Sequence, residues 1–215
     1  MRYGKILKRA DYILDDDGNE LKGDALLKAE QKMATEAMEA ETDSFESALT
    51  RVKGMKEDYG KGISAMVMIY NGSDNPVTLR EYKGRHHAKP HQNDPDDRIE
   101  PGEWSVHLWE KGTMLHGVVA CIAYNVLGHT EDFVWKMLLN AGMGTPVQLV
   151  TEVIRTKQYN AQSWDDLFKE AVSDEDRRRM TRDTGYIRVH AEASQGTSPL
   201  MKFYITRSDI GRFDG

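Results

Sequence analysis

Three histidines and three aspartates crowd one stretch of the chain: His86, His87 and His91, followed by Asp94, Asp96 and Asp97. Imidazole and carboxylate groups are ligands for zinc and copper, and imidazoles titrate near neutral pH. The spacing argues against a metal centre. His86 and His87 are adjacent, unlike the His-Glu-x-x-His zinc motif, where a helical turn separates the two imidazoles. Nothing in the sequence fixes the loop, so no metal is expected. The stretch reads as a polar loop, and its alternative use is contact with a ligand or partner through Tyr82, His86, His87 and His91, with pH sensitivity as a corollary.

Trp104 and Trp109 are five residues apart, so on an unbroken strand they point to opposite faces. One belongs in a core. The other is core or partly buried as well on the plainer reading; on the alternative it is exposed and, with Tyr82, stacks on a sugar ring or a lipid headgroup. Asp15-Asp16-Asp17-Gly18-Asn19-Glu20 resembles a calcium loop but fails the test, since the sixth position from Asp15 is Glu20 rather than glycine and the twelfth is Leu26 rather than glutamate. It reads as an acidic turn, with Gly18 and Asn19 supplying positive φ. The single cysteine, Cys121, lies in the apolar run Val118–Ala123 and is expected to be buried and inert. No nucleophile elbow, phosphate-binding loop or zinc-protease motif appears. The chain is therefore expected to be non-enzymatic and to use no cofactor.

The elements that hold these residues follow from periodicity. Asp24 to Asp58 is helical in composition and spacing, with Asp24 as N-cap and Thr42-Asp43-Ser44 as the place for a kink. Leu26, Met33, Ala37, Phe45, Leu49 and Val52 mark its apolar stripe, a surface for a membrane or for a partner helix. The same segment has nine acidic and five basic residues, which is poor for attraction to anionic lipid. Packing of the helix on the rest of the protein is the plainer reading. Gly60 and Gly62 end it. From Ile63 the period changes to two. Strands are predicted over 63–70, 77–83, 104–109, 115–126, 132–139, 147–154, 186–193 and 200–207, with a long polar loop over 84–102. A charged helix is predicted over 161–183, its apolar stripe carried by Trp164, Leu167, Phe168, Ala171 and Val172. The expected fold is α+β and mainly β: an antiparallel β-sandwich with a long amphipathic N-terminal helical arm and one helix inserted before the last two strands. The expected organisation is a lead and arm over 1–60 and a sandwich over 61–215.

The chain has 215 residues, a net charge of −6 and a pI near 5.7. That length buries a core without staples, and the acidic balance argues against nucleic acid as a partner. With no signal-peptide pattern and no apolar run of spanning length, the default location is cytoplasmic.

Four blocks, in order, resemble the small jasmonate-induced proteins of plants. They are Tyr59-Gly60-Lys61-Gly62-Ile63-Ser64 leading to Ile69-Tyr70-Asn71; Ile99-Glu100-Pro101-Gly102-Glu103-Trp104 leading to His107-Leu108; Thr151-Glu152-Val153-Ile154-Arg155 with Trp164-Asp165-Asp166; and Gly196-Thr197-Ser198-Pro199. The match spans roughly residues 25–208, and it departs where Tyr82–Asp97 lacks the tryptophans that family carries. More remotely, the strand pattern is similar to that of the actinoporins and the fungal fruit-body lectins. The resemblance implies a plant defence or stress protein acting without catalysis, either on membranes as a pore-forming, insecticidal type, or as a lectin-like carbohydrate- or protein-binding module. The partner would be a membrane, or a receptor or glycan on the surface of a target organism. The helical arm offers a route to a homo-oligomer.

Overall fold

A computed structural model of the chain describes residues 2–111, 117–128, 132–142, 146–159, 164, 168 and 178–209. Its strands are β1 (Arg2–Gly4), β2 (Ser64–Gly72), β3 (Val77–Arg85), β4 (Lys89–His91), β5 (Arg98–Ile99), β6 (Glu103–Glu110), β7 (Val118–Val126), β8 (Phe133–Ala141), β9 (Gln148–Arg155), β10 (Arg179–Asp183), β11 (Ile187–Ala193) and β12 (Leu200–Arg207). The helices are a single turn, α1 (Ala10–Ile13), and the long α2 (Gly23–Tyr59). Seven strands form one sheet in the order β1-β6-β2-β12-β11-β10, with β4 also on β6; five form the second, β5-β3-β7-β8-β9. All pairs are antiparallel except β2 with β12, the two strands farthest apart in sequence among those that pair. The expected sandwich with its N-terminal helix is what forms.

The space between the sheets is filled. Ala65, Val67 and Ile69 of β2, Trp109 of β6, Ile122 and Tyr124 of β7, Trp135 and Met137 of β8 and Phe203 and Ile205 of β12 meet there with no exposed surface. The period-two pattern of β2 and β12 sends the intervening residues to the opposite face, where Met68, Tyr70 and Tyr204, with Trp104 and Val106 of β6, lie under Ala48 and Val52 of α2. The outer face of the second sheet is covered as well: Cys121, Ala123, Val134, Leu138 and Val150 pack with Trp164, Phe168 and Met180. Burial on both faces explains why β8 is buried at all nine positions rather than alternating.

Several boundaries differ from the sequence reading. α2 runs without a break through Thr42–Ser44, because the Ser44 hydroxyl turns back onto the carbonyls of Ala40 and Glu41 rather than capping a new helix. The helix begins at Gly23, with Lys22 in the cap position and no side-chain cap. Its end is as expected: Gly60 takes φ +81 and its N–H donates to Lys56 and Glu57. In the acidic turn, Gly18 has positive φ and Asn19 does not, while the Asp15 carboxylate accepts the N–H groups of Asp17 and Asn19. In the helix predicted over 161–183, Trp164 and Phe168 are helical and buried, and Arg179–Asp183 is a strand. The remainder, Leu167, Ala171 and Val172 included, lies outside the described residues. Of the charges in that predicted helix, Arg179, Arg182 and Asp183 lie on a sheet-edge strand, where Arg179 meets Glu192 at 3.4 Å and Arg188 meets Asp183 at 2.8 Å. The lead contains β1 and α1, elements too short to show periodicity.

Candidate functional site

The histidine loop divides into parts. Ala88 N–H donates to Arg85 C=O and closes a turn in which His86 and His87 both take positive φ, 51° and 63°, with exposed side chains. His91 turns the other way. Its Nδ1 lies 3.0 Å from Glu110 Oε2, and its ring meets Tyr59 edge-on at 5.2 Å. Lys89 reaches the other oxygen of Glu110 at 3.2 Å. Tyr82 is half-buried edge-on against Trp109, and its hydroxyl is pushed up by the Asp94 hydrogen bond and then by burial. Among the described residues, no three His, Cys, Asp or Glu side chains gather closely enough to hold a metal ion. The Cys121 thiol is pushed far up by burial, against the weaker pull of Lys136 and Lys83.

Trp104 and Trp109 do point to opposite faces, yet both are fully buried, because the sheet that carries them is covered on both sides. Neither indole offers a face to a ring or a headgroup. Trp104 belongs to one continuous cross-strand row, Tyr3–Trp104–Tyr70–Tyr204–His190–Thr181, spanning six strands. α2 lies across this row. Its Ala37 carbonyl accepts the Tyr70 hydroxyl, its Glu41 carbonyl accepts Trp104 Nε1–H at 3.4 Å, and its Phe45 ring sits 5.7 Å from Trp104.

The apolar stripe of α2 is thus occupied. Met33, Ala37 and Val52 are fully buried, while Leu26, Phe45 and Leu49 are partly buried. A buried ionic knot fastens the same helix to both ends of the chain. Glu30 meets Arg9 at 2.5 Å and Arg207 at 3.5 Å, and Arg207 also reaches Asp74 at 3.5 Å and Asp209 at 2.9 Å. Glu30, Asp74 and Arg207 are each almost wholly buried.

Two basic concavities lie on the surface. One, about 710 Å³, borders β10–β12 and presents Arg178, Arg179 and Lys202 around Glu192. His190 and then Lys202 hold that carboxyl down at about 2, so its cations are already engaged. The other, about 520 Å³, lies between the N-terminal lead and α2. Lys5, Ile6 and Lys8 form one wall and Lys28 and Lys32 the other. Across its floor Tyr12 donates to Glu36 at 2.6 Å, and burial, followed by that hydrogen bond, pushes the phenol up to about 12. Sequence reading passed over this cleft. The one signal was the i, i+4 pair Lys28 and Lys32 on the polar face of α2; that the lead lies beside them is a tertiary fact.

A β-sandwich strapped on one face by a single long helix, with a filled interior, is the class of fold that these elements define. The Nakanori-like protein family matches residues 4–207, and the chain belongs to that family. In three dimensions it resembles the crystal structure of the lipid binding protein Nakanori. The TM-score is 0.81 at 17% sequence identity, and the match covers 96% of this chain and 100% of that one. At that identity the likeness is one of fold. No curated protein matches the chain in sequence.

The family match overturns the resemblance to the jasmonate-induced proteins, and the plant-defence assignment falls with it. The four blocks that suggested it are structural punctuation. Gly60 is the α2 cap, Gly102 the turn before β6, Thr151–Arg155 the end of β9, and Gly196–Pro199 the turn before β12. A helix-to-sheet switch and strand-opening turns need such residues in any sandwich of this order.

Proposed function

We propose that this chain is a peripheral lipid-binding protein that engages the bilayer surface as an intact, folded sandwich. The observation that carries the reading is membership, over nearly the whole chain, in a family whose solved fold neighbour is a lipid binding protein. The filled interior supports recognition from outside. With Trp109, Ile122, Trp135, Met137 and Phe203 occupying the space between the sheets, no described cavity there encloses an acyl chain. The occupied stripe of α2 supports binding without release of the helix. Freeing it would strip Tyr70 and Trp104 of their cover and break the Glu30–Arg207 knot.

The test is flotation of the full chain with vesicles of phosphatidylcholine, of phosphatidylcholine with phosphatidylserine, and of a total lipid extract, with an entrapped dye as a second readout. Flotation without dye release, with an unchanged near-ultraviolet spectrum, is the expected result. Failure to float with every vesicle type would sink the lipid-binding reading. Dye release would show that the strapped helix leaves the sheet, and would overturn the claim of binding in the folded state.

A further inference from the structure

We propose that the chain docks on anionic lipid bilayers through the cleft between its N-terminal lead and α2. Lys5, Lys8, Lys28 and Lys32 meet lipid phosphates and carboxylates, and Ile6 enters the headgroup layer. This rests on the lipid-binding reading and names the surface and the lipid class.

Charge is the first argument. The chain as a whole is acidic at −6, yet this cleft sets four lysines against Asp11 and Glu36. The lining side chains keep an excess of two positive charges over those two acids. Glu36 accepts the Tyr12 hydroxyl through one oxygen and stands 4.0 Å from Lys32 through the other. Among the described residues, Lys5, Lys8 and Lys28 have no ion-pair partner, whereas Arg179 and Lys202 of the β10–β12 groove are paired with Glu192. A patch of free lysines on an otherwise acidic molecule is attracted to an anionic surface in one orientation, because the remaining surface is repelled.

The second argument is hydrophobic. Ile6 is 49% exposed and lines this cleft, one of four large apolar residues so exposed among those described. An exposed aliphatic side chain in a cleft lined by lysines suits the bilayer interface, where hydrocarbon is buried shallowly and cations stay at phosphate level.

The third is rigidity. Leu7, next to Ile6, is buried against Met33 and Ala37 of α2, and its N–H donates to Pro101 C=O at 3.1 Å. Lys5 C=O lies 2.5 Å from where a Cβ on Gly102 would stand, and Gly102 has φ +83, so only glycine permits this approach. Arg9 ties the far end of the lead to Glu30. The two lysine walls are set before any lipid arrives, so little ordering is required on binding.

The test uses the full chain against vesicles of phosphatidylcholine alone and of phosphatidylcholine with phosphatidylserine, over a series of salt concentrations. Three variants accompany it: Lys5→Glu/Lys8→Glu/Lys28→Glu, Ile6→Ser, and a control with Lys53→Glu/Lys61→Glu/Lys83→Glu, three exposed lysines elsewhere on the molecule. All changed side chains are exposed, and melting curves confirm folding. Binding is expected to require phosphatidylserine and to weaken with salt. The cleft triple variant should lose about a hundredfold or more in partitioning, since each lysine near the surface is worth roughly fivefold. The control triple should retain most binding. Ile6→Ser should weaken binding while leaving its salt dependence in place. Equal binding to both vesicle types, or equal loss in the two triple variants, overturns the cleft and leaves lipid binding standing. Binding to neither vesicle type overturns the cleft, and failure on a total lipid extract as well overturns the lipid-binding reading too.

Discussion

His107 sits on β6 on the same face as Trp109, fully buried, and neither ring nitrogen has a hydrogen-bond partner. Burial holds its pKa down at about 4, against the opposing attraction of Asp96. The unfolded chain takes up the proton near the ordinary value of 6.5, well before the folded one does at about 4. The stability associated with neutral His107 is therefore complete above 6.5, is lost as pH falls from 6.5 to about 4, and changes no further below. The whole effect is on the order of 3 kcal/mol. His107→Leu should flatten stability across that window, measured by urea unfolding at neutral pH and near the folded pKa. Equal acid sensitivity in variant and wild type would show that other groups carry it. His86 and His87, which drew notice first, sit on an exposed turn, and their positive φ is a matter of turn geometry rather than ligation.

At the scale of elements, the decisive unit is α2 and what fastens it. Arg207 at the end of β12 lies between Glu30, Asp74 and Asp209. Removing this one cation takes the guanidinium from the buried Asp74 and leaves the buried Glu30 with Arg9 alone. Arg207→Leu should therefore cost about 3–5 kcal/mol, the range for breaking a buried ionic group from one side, read as a lower midpoint in chemical denaturation. A loss below about 1 kcal/mol would mean the knot behaves as a surface pair. α2 was legible in the sequence because it repeats apolar residues at helical spacing over many turns. β10 was not, because its five residues are largely charged and its extended form comes from pairing with β11 across Arg179–Glu192 and Thr181–His190. The lead was opaque for the same reason, since β1 is three residues held by register with Tyr3 against Trp104.

The molecule as a whole is three layers: α2, the seven-stranded sheet and the five-stranded sheet, with further cover from Trp164 and Phe168 on the far side. The middle sheet has an apolar row on each face. A fragment beginning at Gly62 would expose Tyr70 and Trp104, and exposing an aromatic row of this size favours aggregation over folding. Helix and sandwich are expected to unfold in a single transition, with far-ultraviolet and near-ultraviolet signals coinciding. Separate transitions would show that residues 1–60 form an autonomous arm. The acidic total charge belongs to this scale as well, since it orients a local basic face more than it excludes one.

By itself the sequence determined the class of fold, the long helix and eight of the strands. Those features rest on local periodicity, and burial on one face or on two leaves a mark every second or every third to fourth residue. It also marked Cys121 as buried and offered no catalytic motif. The tertiary structure alone decided that both tryptophans are hidden, since a second covering layer cannot be read from one strand. It alone joined Glu30 to Arg207, 177 positions apart, and placed Lys5 and Lys8 beside Lys28 and Lys32. Charge is felt through space, whereas sequence records only neighbours along the chain, so an acidic helix and a featureless lead became a basic cleft only when the fold brought their lysines together.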